Sequence, residues 1–140
     1  MTKLRAQFTT IIATAIAMTT AAAADPIEDG ARIYAERCSV CHGALGAGDG
    51  AVGELFAVKP RNLALLALEN YKACPVSEVY QAIDGRRVIA GHGGSEMPIW
   101  GPYFMDTAID DPTINDKNAK YITQGRILSL VYYLQSIQTN

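Results

Sequence analysis

Cysteine is scarce in this chain of 140 residues, and both clusters of basic residues and long apolar runs beyond residue 24 are missing. Three cysteines are too few for a disulfide-stabilised scaffold. The 12 Lys and Arg residues are dispersed and are outnumbered by 14 Asp and Glu, so the chain lacks the concentrated positive charge that binds a phosphate backbone. We therefore expect no nucleic acid partner. A composition of 49% hydrophobic and 19% charged residues indicates one packed domain rather than a disordered chain.

The N-terminal segment has the composition of a secretory signal peptide. Two basic residues, Lys3 and Arg5, precede an apolar stretch with several threonines, and small residues at its end offer a cleavage site. The stretch is short for a helix that crosses about 30 Å of hydrocarbon. We expect residues 1–24 to be removed on export, which leaves residues 25–140 as one periplasmic domain that does not span the membrane. Without Lys3 and Arg5, ten basic residues face 14 acidic ones, a formal charge of −4.

Apolar residues recur at helical spacing, and no stretch alternates in the way typical of a β-strand. The expected fold class is therefore all-α, with short helices and long loops. The predicted segments are a first helix capped by Asp25 or Asp29 with the stripe Ile27, Ala31, Tyr34 and Ala35; a glycine-rich loop over 43–53; short helices over 62–71 and 76–84; a polar loop over 106–120; and a helix over 122–137 with the stripe Ile127, Leu130, Val131, Leu134 and Ile137. A domain of this size with such long loops has a thin core, which indicates that a further group fills its interior.

The sequence Cys-Ser-Val-Cys-His at 38–42 carries the chemistry. Two thiols three positions apart with a histidine directly after them is the spacing for covalent attachment of haem c. Cys38 and Cys41 would add to the two vinyl groups of the porphyrin, and His42 would reach the iron. Two alternatives use the same thiols. A zinc site with Cys74 and His92 leaves His42 unexplained, and a redox-active thiol pair requires a βαβ pattern that the chain lacks.

The second axial ligand is expected in the irregular segment that follows residue 85. Met97 is favoured because nearby glycines let the backbone fold over the ring and Pro98 fixes the chain beside the thioether. His92 is the rival, although it has no apolar neighbours to bury it. Met105 precedes polar residues and is interpreted as a residue that fills the core.

Four further residues are candidates for contacts around the haem. Pro60 could accept a hydrogen bond from the second ring nitrogen of His42 through its carbonyl, although it could equally be a turn residue. Arg61, Trp100 and Tyr103 could pair with or screen the haem propionates, or they could be a solvated charge and two core aromatics. Cys74 is interpreted as an inert apolar residue rather than an activated thiol.

With these features the chain resembles the class I c-type cytochromes of bacteria, which bind one haem. The resemblance implies a cytochrome c-like fold, Met97 as axial ligand and Pro60 as the acceptor for His42. It also implies that the first and last helices cross where Gly30 and Tyr34 meet Leu130 and Tyr133. The motifs that carry it are Cys38–Gly43, Gly46–Gly50, Pro60–Leu63, Met97–Pro98 and the terminal helix.

This resemblance, together with the filled axial positions, predicts a periplasmic one-electron carrier rather than an enzyme. Its partners would be redox proteins, and the acidic residues Asp106, Asp110, Asp111 and Asp116 suggest a partner with a basic patch. Two alternatives remain open. The chain could be a cytochrome subunit docked permanently on a periplasmic dehydrogenase. It could also be a haem sensor or a peroxidase-like protein in which Met97 dissociates to admit a ligand.

Overall fold

A computed structural model describes residues 25–86 and 100–139. Within these ranges the chain forms five α-helices and two short 3-10 helices, and it contains no strand. The all-α prediction is therefore confirmed. Residues 1–24, to which the signal-peptide prediction refers, lie outside the described ranges. The helices are α1 (Pro26–Arg37), α2 (Ser39–His42), α3 (Val76–Asp84), α4 (Trp100–Ile109) and α5 (Asp116–Ser136), with 3-10 helices at Gly53–Leu55 and Leu63–Leu65.

Helix α1 begins at the predicted cap, because the Asp25 carboxylate accepts a hydrogen bond from the Ile27 amide at 2.8 Å. Of the predicted apolar stripe, Tyr34 is buried and Ala31 is partly buried, whereas the prediction is wrong for Ile27 and Ala35. The buried residues of α1 are Gly30, Ile33 and Tyr34, whereas the Ile27 side chain is 42% exposed. The reason is that α1 contacts α5 through a glycine, which a pattern of large apolar residues does not register.

The contact between α1 and α5 is close enough to exclude a side chain at residue 30. A Cβ atom on Gly30 would lie 1.9 Å from the Ser129 carbonyl oxygen and 2.8 Å from the Tyr133 Cβ. One turn further along α1, the ring centroids of Tyr34 and Tyr133 are 5.1 Å apart. The pairing of Gly30 and Tyr34 with Tyr133 that the family resemblance implies is therefore present.

Helix α5 begins at Asp116, six residues before the predicted start. The Asn115 side chain caps it by accepting a hydrogen bond from the Asn118 amide at 3.0 Å. This first part of α5 is polar except for Ala119, which is fully buried, and Thr123 one turn later is buried as well. A single alanine is enough to place the turn on the core, but it is too weak a signal to extend a predicted helix.

The predicted polar loop over 106–120 is correspondingly wrong. Helix α4 continues to Ile109 and α5 begins at Asp116, so only six residues connect them. Within this connection the Asp111 carboxylate accepts hydrogen bonds from the amide and hydroxyl of Thr113, at 2.9 and 2.7 Å. These bonds lower the pKa of Asp111. The acidic residues of the segment thus belong in part to helices and turns.

The helix predicted over 62–71 is reduced to the 3-10 helix at Leu63–Leu65. In an α-helix the amide of Ala67 would donate to the carbonyl of Leu63. Here the Gln138 side chain lies between them, accepting from the Ala67 amide at 2.8 Å and donating to the Leu63 carbonyl at 2.7 Å. A side chain 71 residues further along the chain therefore interrupts the helix, which no local pattern indicates.

Helix α3 matches its predicted bounds, with Pro75 at the N-cap and Gly85 ending it at φ +84°. The apolar stripe of α5 is also confirmed for four of its five residues, whereas Ile137 lies beyond the helix end and is only partly buried.

Together α1, α3, α4 and α5 enclose one core, in which each large side chain contributes about 1.5–3 kcal/mol when fully buried. Its buried members are Ile33, Tyr34, Ile83, Phe104, Ile127, Leu130, Val131 and Leu134.

Among the described helices, none has the length and apolar composition needed to cross a membrane.

Candidate functional site

The two cysteines and the histidine lie on one helical turn directly after α1. The amides of Cys41 and His42 donate to the Cys38 carbonyl at 3.2 and 2.9 Å, which closes this turn. Residues three positions apart on a helix project to the same side, so the two thiols share one face. Both thiols are free and partly buried.

The glycine-rich loop, residues 43–53, wraps around the end of α2. A short helix leaves its last carbonyl groups without partners, and this loop provides them. Its amides at residues 48, 50 and 52 donate to the carbonyls of His42, Cys41 and Val40 at 2.8, 3.2 and 3.0 Å respectively. Hydrogen bonds from the glycine-rich loop therefore hold the backbone around the histidine at the C-terminal end of α2.

A buried tyrosine ties this loop to α1. The Tyr34 hydroxyl donates to the Gly43 carbonyl at 2.7 Å, and burial raises the pKa of Tyr34 above its usual value. The sequence pattern predicts Tyr34 at a helix contact but does not indicate this second role. The signal was its position four residues before Cys38, one helical turn away from the attachment sequence.

The His42 side chain is 7% exposed, and its Nδ1 lies 3.3 Å from the carbonyl oxygen of Arg61. A carbonyl can only accept, so Nδ1 carries the proton in this contact and Nε2 keeps its lone pair. This is the tautomer in which Nε2 can bind a metal. The imidazole is thus oriented for ligation by a main-chain group.

Pro60 does not have the predicted role, because the acceptor is the carbonyl of the next residue, Arg61. The Pro60 carbonyl faces the glycine-rich loop instead: a Cβ on Gly48 would lie 2.3 Å from the Pro60 oxygen. Gly48 also has φ +83°, so two independent constraints select glycine there. Pro60 supports the loop that holds α2.

The Arg61 side chain forms an ion pair with Glu69, with Nε 3.0 Å from Oε2. Trp100 packs in the aromatic part of the core, with its ring centroid 5.4 Å from Tyr103 and 6.0 Å from Phe104. Their expected contacts with haem propionates stay predictions.

Met97, Pro98 and His92 lie outside the described residues, so the choice of the second axial ligand also stays a prediction. Met105 is described, and its sulfur lies 3.9 Å from the Thr123 hydroxyl on α5. It is therefore engaged between two helices, in agreement with a core role.

The environment of Cys38 differs from that of a redox-active thiol. Burial, together with the neighbouring Cys41, raises the pKa of Cys38 to about 12, whereas redox-active thiols have lowered values. Burial also raises the pKa of Cys74, as expected for an inert thiol. Within residues 25–86 and 100–139, no three His, Cys, Asp or Glu side chains come together to hold a metal ion.

The residues present fit a covalently attached haem. Two free thiols lie one turn apart, the adjacent imidazole is oriented with Nε2 as the ligand atom, and the backbone of the turn is fixed by the glycine-rich loop.

Comparison with known proteins agrees with this chemistry. The family described as cytochrome c oxidase, cbb3-type, subunit III matches residues 25–111, more than half of the chain. No curated protein and no solved structure matches the chain. The chain belongs to this cytochrome family and carries a c-type cytochrome domain with a covalently bound haem c.

Proposed function

We propose that this protein is an exported one-electron carrier of the periplasm, with His42 and Met97 as the axial ligands of its haem. The bound haem supplies one-electron chemistry through its iron. Cys38 and Cys41 hold the group through thioether bonds. The contact between His42 Nδ1 and the Arg61 carbonyl is the observation that supports the proposal best, because a carbonyl acceptor places the proton on Nδ1 and leaves Nε2 as the nitrogen that can bind iron.

Filled axial positions would leave no coordination site for a substrate, which is why a carrier is proposed rather than an enzyme. The glycine-rich loop and the Tyr34 hydroxyl keep the histidine turn in one arrangement. A ligand that moves little between redox states keeps the reorganisation small during electron transfer.

The absorption spectrum of the purified protein in both redox states tests the assignment of the ligands. A thioether bound to ferric iron produces a weak red band. We expect Met97→Ala to abolish this band while the pigment stays covalently attached, because Cys38 and Cys41 are unchanged.

Met105→Ala is the matched control, since it removes the same side chain from the contact with Thr123. It should retain the band. Loss of the band in Met105→Ala and its survival in Met97→Ala would contradict the assignment. Rapid binding of carbon monoxide by the unmodified ferrous protein would favour a ligand-binding role instead.

A permanently docked subunit is the second candidate, and the name of the matching family favours it, because that name describes a subunit of an oxidase. Affinity purification of the tagged chain from its own host tests this. A carrier should elute alone at moderate salt, whereas a subunit should elute with a large partner in constant proportion.

A further inference from the structure

A surface cavity of about 210 Å³ lies where α1, α4 and α5 meet, outside the attachment site. We call it the arginine pocket. Three arginines line it: two belong to α1 and the third belongs to α5. The lining residues that matter here are Arg32, Glu36, Arg37, Tyr103, Thr107 and Arg126.

Two of the arginines are held in place without a carboxylate. Arg126 Nη1 donates to the Phe104 carbonyl at 3.2 Å and to the Thr107 hydroxyl oxygen at 2.8 Å, so these contacts with described residues use one of its three nitrogens. The guanidinium carbon of Arg37 lies 5.0 Å from the centre of the Tyr103 ring, a cation–π contact. In the described part of the chain, neither residue forms an ion pair.

The pocket is therefore positive within an acidic domain. Arg32 contacts Asp29 and Glu36 at 3.4 and 3.5 Å, but among the described residues that line the cavity Glu36 is the one carboxylate against three guanidinium groups. These like charges raise the energy of the folded protein unless an anion compensates them. Three oriented guanidinium groups form the donor set that recognises carboxylates.

The pocket also lies next to the haem-attachment turn. Arg37 directly precedes Cys38, and consecutive Cα atoms are about 3.8 Å apart. The α1 side of the pocket therefore borders the attachment turn.

We propose that the arginine pocket receives a carboxylate side chain from an acidic surface of the redox partner. This inference rests on the proposed electron-transfer function and adds the chemistry of the partner. The cavity is large enough for a carboxylate-bearing side chain, and the position beside Cys38 would bring the partner to the attachment edge. The acidic residues Asp106, Asp110, Asp111 and Asp116, which suggested a basic partner, do not line this pocket.

The test is a titration of the reduced, haem-loaded protein with a hexaglutamate peptide, followed by NMR. Chemical shifts should change for Arg32, Arg37, Thr107 and Arg126. Arg37→Gln and Arg126→Gln should each weaken the binding of hexaglutamate about threefold, the effect of one partly exposed ion pair. Lys59→Gln is the control, because it removes the same charge from a residue paired with Glu54 at 2.8 Å and should leave binding unchanged.

Three results would overturn the proposal. Lys59→Gln could weaken binding as much as Arg126→Gln does, which would indicate a diffuse charge effect. Inorganic phosphate could bind as tightly as the peptide, which would indicate a site for a small anion. A hexalysine peptide could bind where hexaglutamate does not, which would assign docking to the acidic residues. The red band of the ferric form, recorded on the same samples, shows separately whether the proposed ligation holds.

Discussion

At the scale of single residues, the site depends on main-chain groups as much as on side chains. The spacing at 38–42 predicts that the two cysteines and the histidine hold the haem, and the structure places the three residues on one turn. The group that orients His42 was predicted one residue too early, at Pro60. Which of two consecutive carbonyls turns toward a ring depends on backbone angles, and local sequence constrains these weakly.

The hydrogen bond from Tyr34 to Gly43 predicts a pH-dependent stability. Tyr34→Phe removes this buried bond and should lower the free energy of unfolding by about 1 kcal/mol at pH 7. The pKa of Tyr34 is raised in the folded protein from its usual value of 10.0. The tyrosine in the unfolded chain therefore ionises first, so its stabilising contribution is present below pH 10 and is lost as the pH rises above it.

Denaturant unfolding of the two haem-loaded proteins between pH 7 and 11 measures this difference. The difference in the free energy of unfolding between the unmodified protein and Tyr34→Phe should become smaller above pH 10. Tyr132→Phe is the control at a 42% exposed ring and should change stability little at any pH. A gap that widens with pH would contradict the assigned direction.

At the scale of the helices, the periodicity of apolar residues succeeded where large side chains form the contact and failed where small ones do. The stripe of α5 and the bounds of α3 were predictable because the buried residues are large or the ends carry proline and glycine. The α1 stripe and the start of α5 were missed because Gly30 and Ala119 make those contacts. The helix predicted over 62–71 was wrong because the side chain of Gln138, a residue distant in sequence, interrupts it.

The close contact of α1 with α5 predicts the effect of adding one methyl group. Gly30→Ala would place its Cβ 1.9 Å from the Ser129 carbonyl oxygen, so the helices must separate. We expect the free energy of unfolding to fall by about 1–3 kcal/mol.

Gly125→Ala provides a matched control, because a Cβ there meets nothing within 4 Å. Its higher helix propensity should stabilise α5 by up to about 1 kcal/mol. The measurement is denaturant unfolding of both haem-loaded variants. Equal effects of the two substitutions would show that the crossing is not as tight as described.

At the scale of the whole molecule, four helices share one core, while the attachment turn and its loop contribute little to that core. Of residues 38–53, His42 is the largest side chain that is buried, and the others that are buried are glycines. The small core that the chain length predicts is therefore formed by the helices alone. The covalent group predicted from the cysteines is what would complete the other side.

Removal of both attachment thiols should therefore destabilise the entire domain. We expect the double variant Cys38→Ser and Cys41→Ser to lose covalently bound pigment and to unfold more than about 10 °C below the unmodified protein, because a haem without thioether bonds can leave the domain and take its packing contacts with it. Acid-acetone extraction and thermal unfolding followed by circular dichroism measure the two effects.

Cys74→Ser removes a thiol outside the attachment turn and should keep both the pigment and the unfolding temperature within a few degrees. Pigment retained by the double variant in acid-acetone would contradict attachment through Cys38 and Cys41. An unfolding temperature equal to that of Cys74→Ser would contradict the stabilising role of the haem.

Arg61 contributes two separate features: its carbonyl contacts the His42 ring, and its guanidinium group pairs with Glu69 at the surface. Every amino acid has the same backbone carbonyl. A substitution at position 61 can therefore change the surface charge while the hydrogen bond to His42 is kept. We therefore expect the residue type at position 61 to vary among relatives, although its carbonyl is needed to orient the histidine. A designer could likewise retune how this face attracts other proteins while leaving the metal centre untouched.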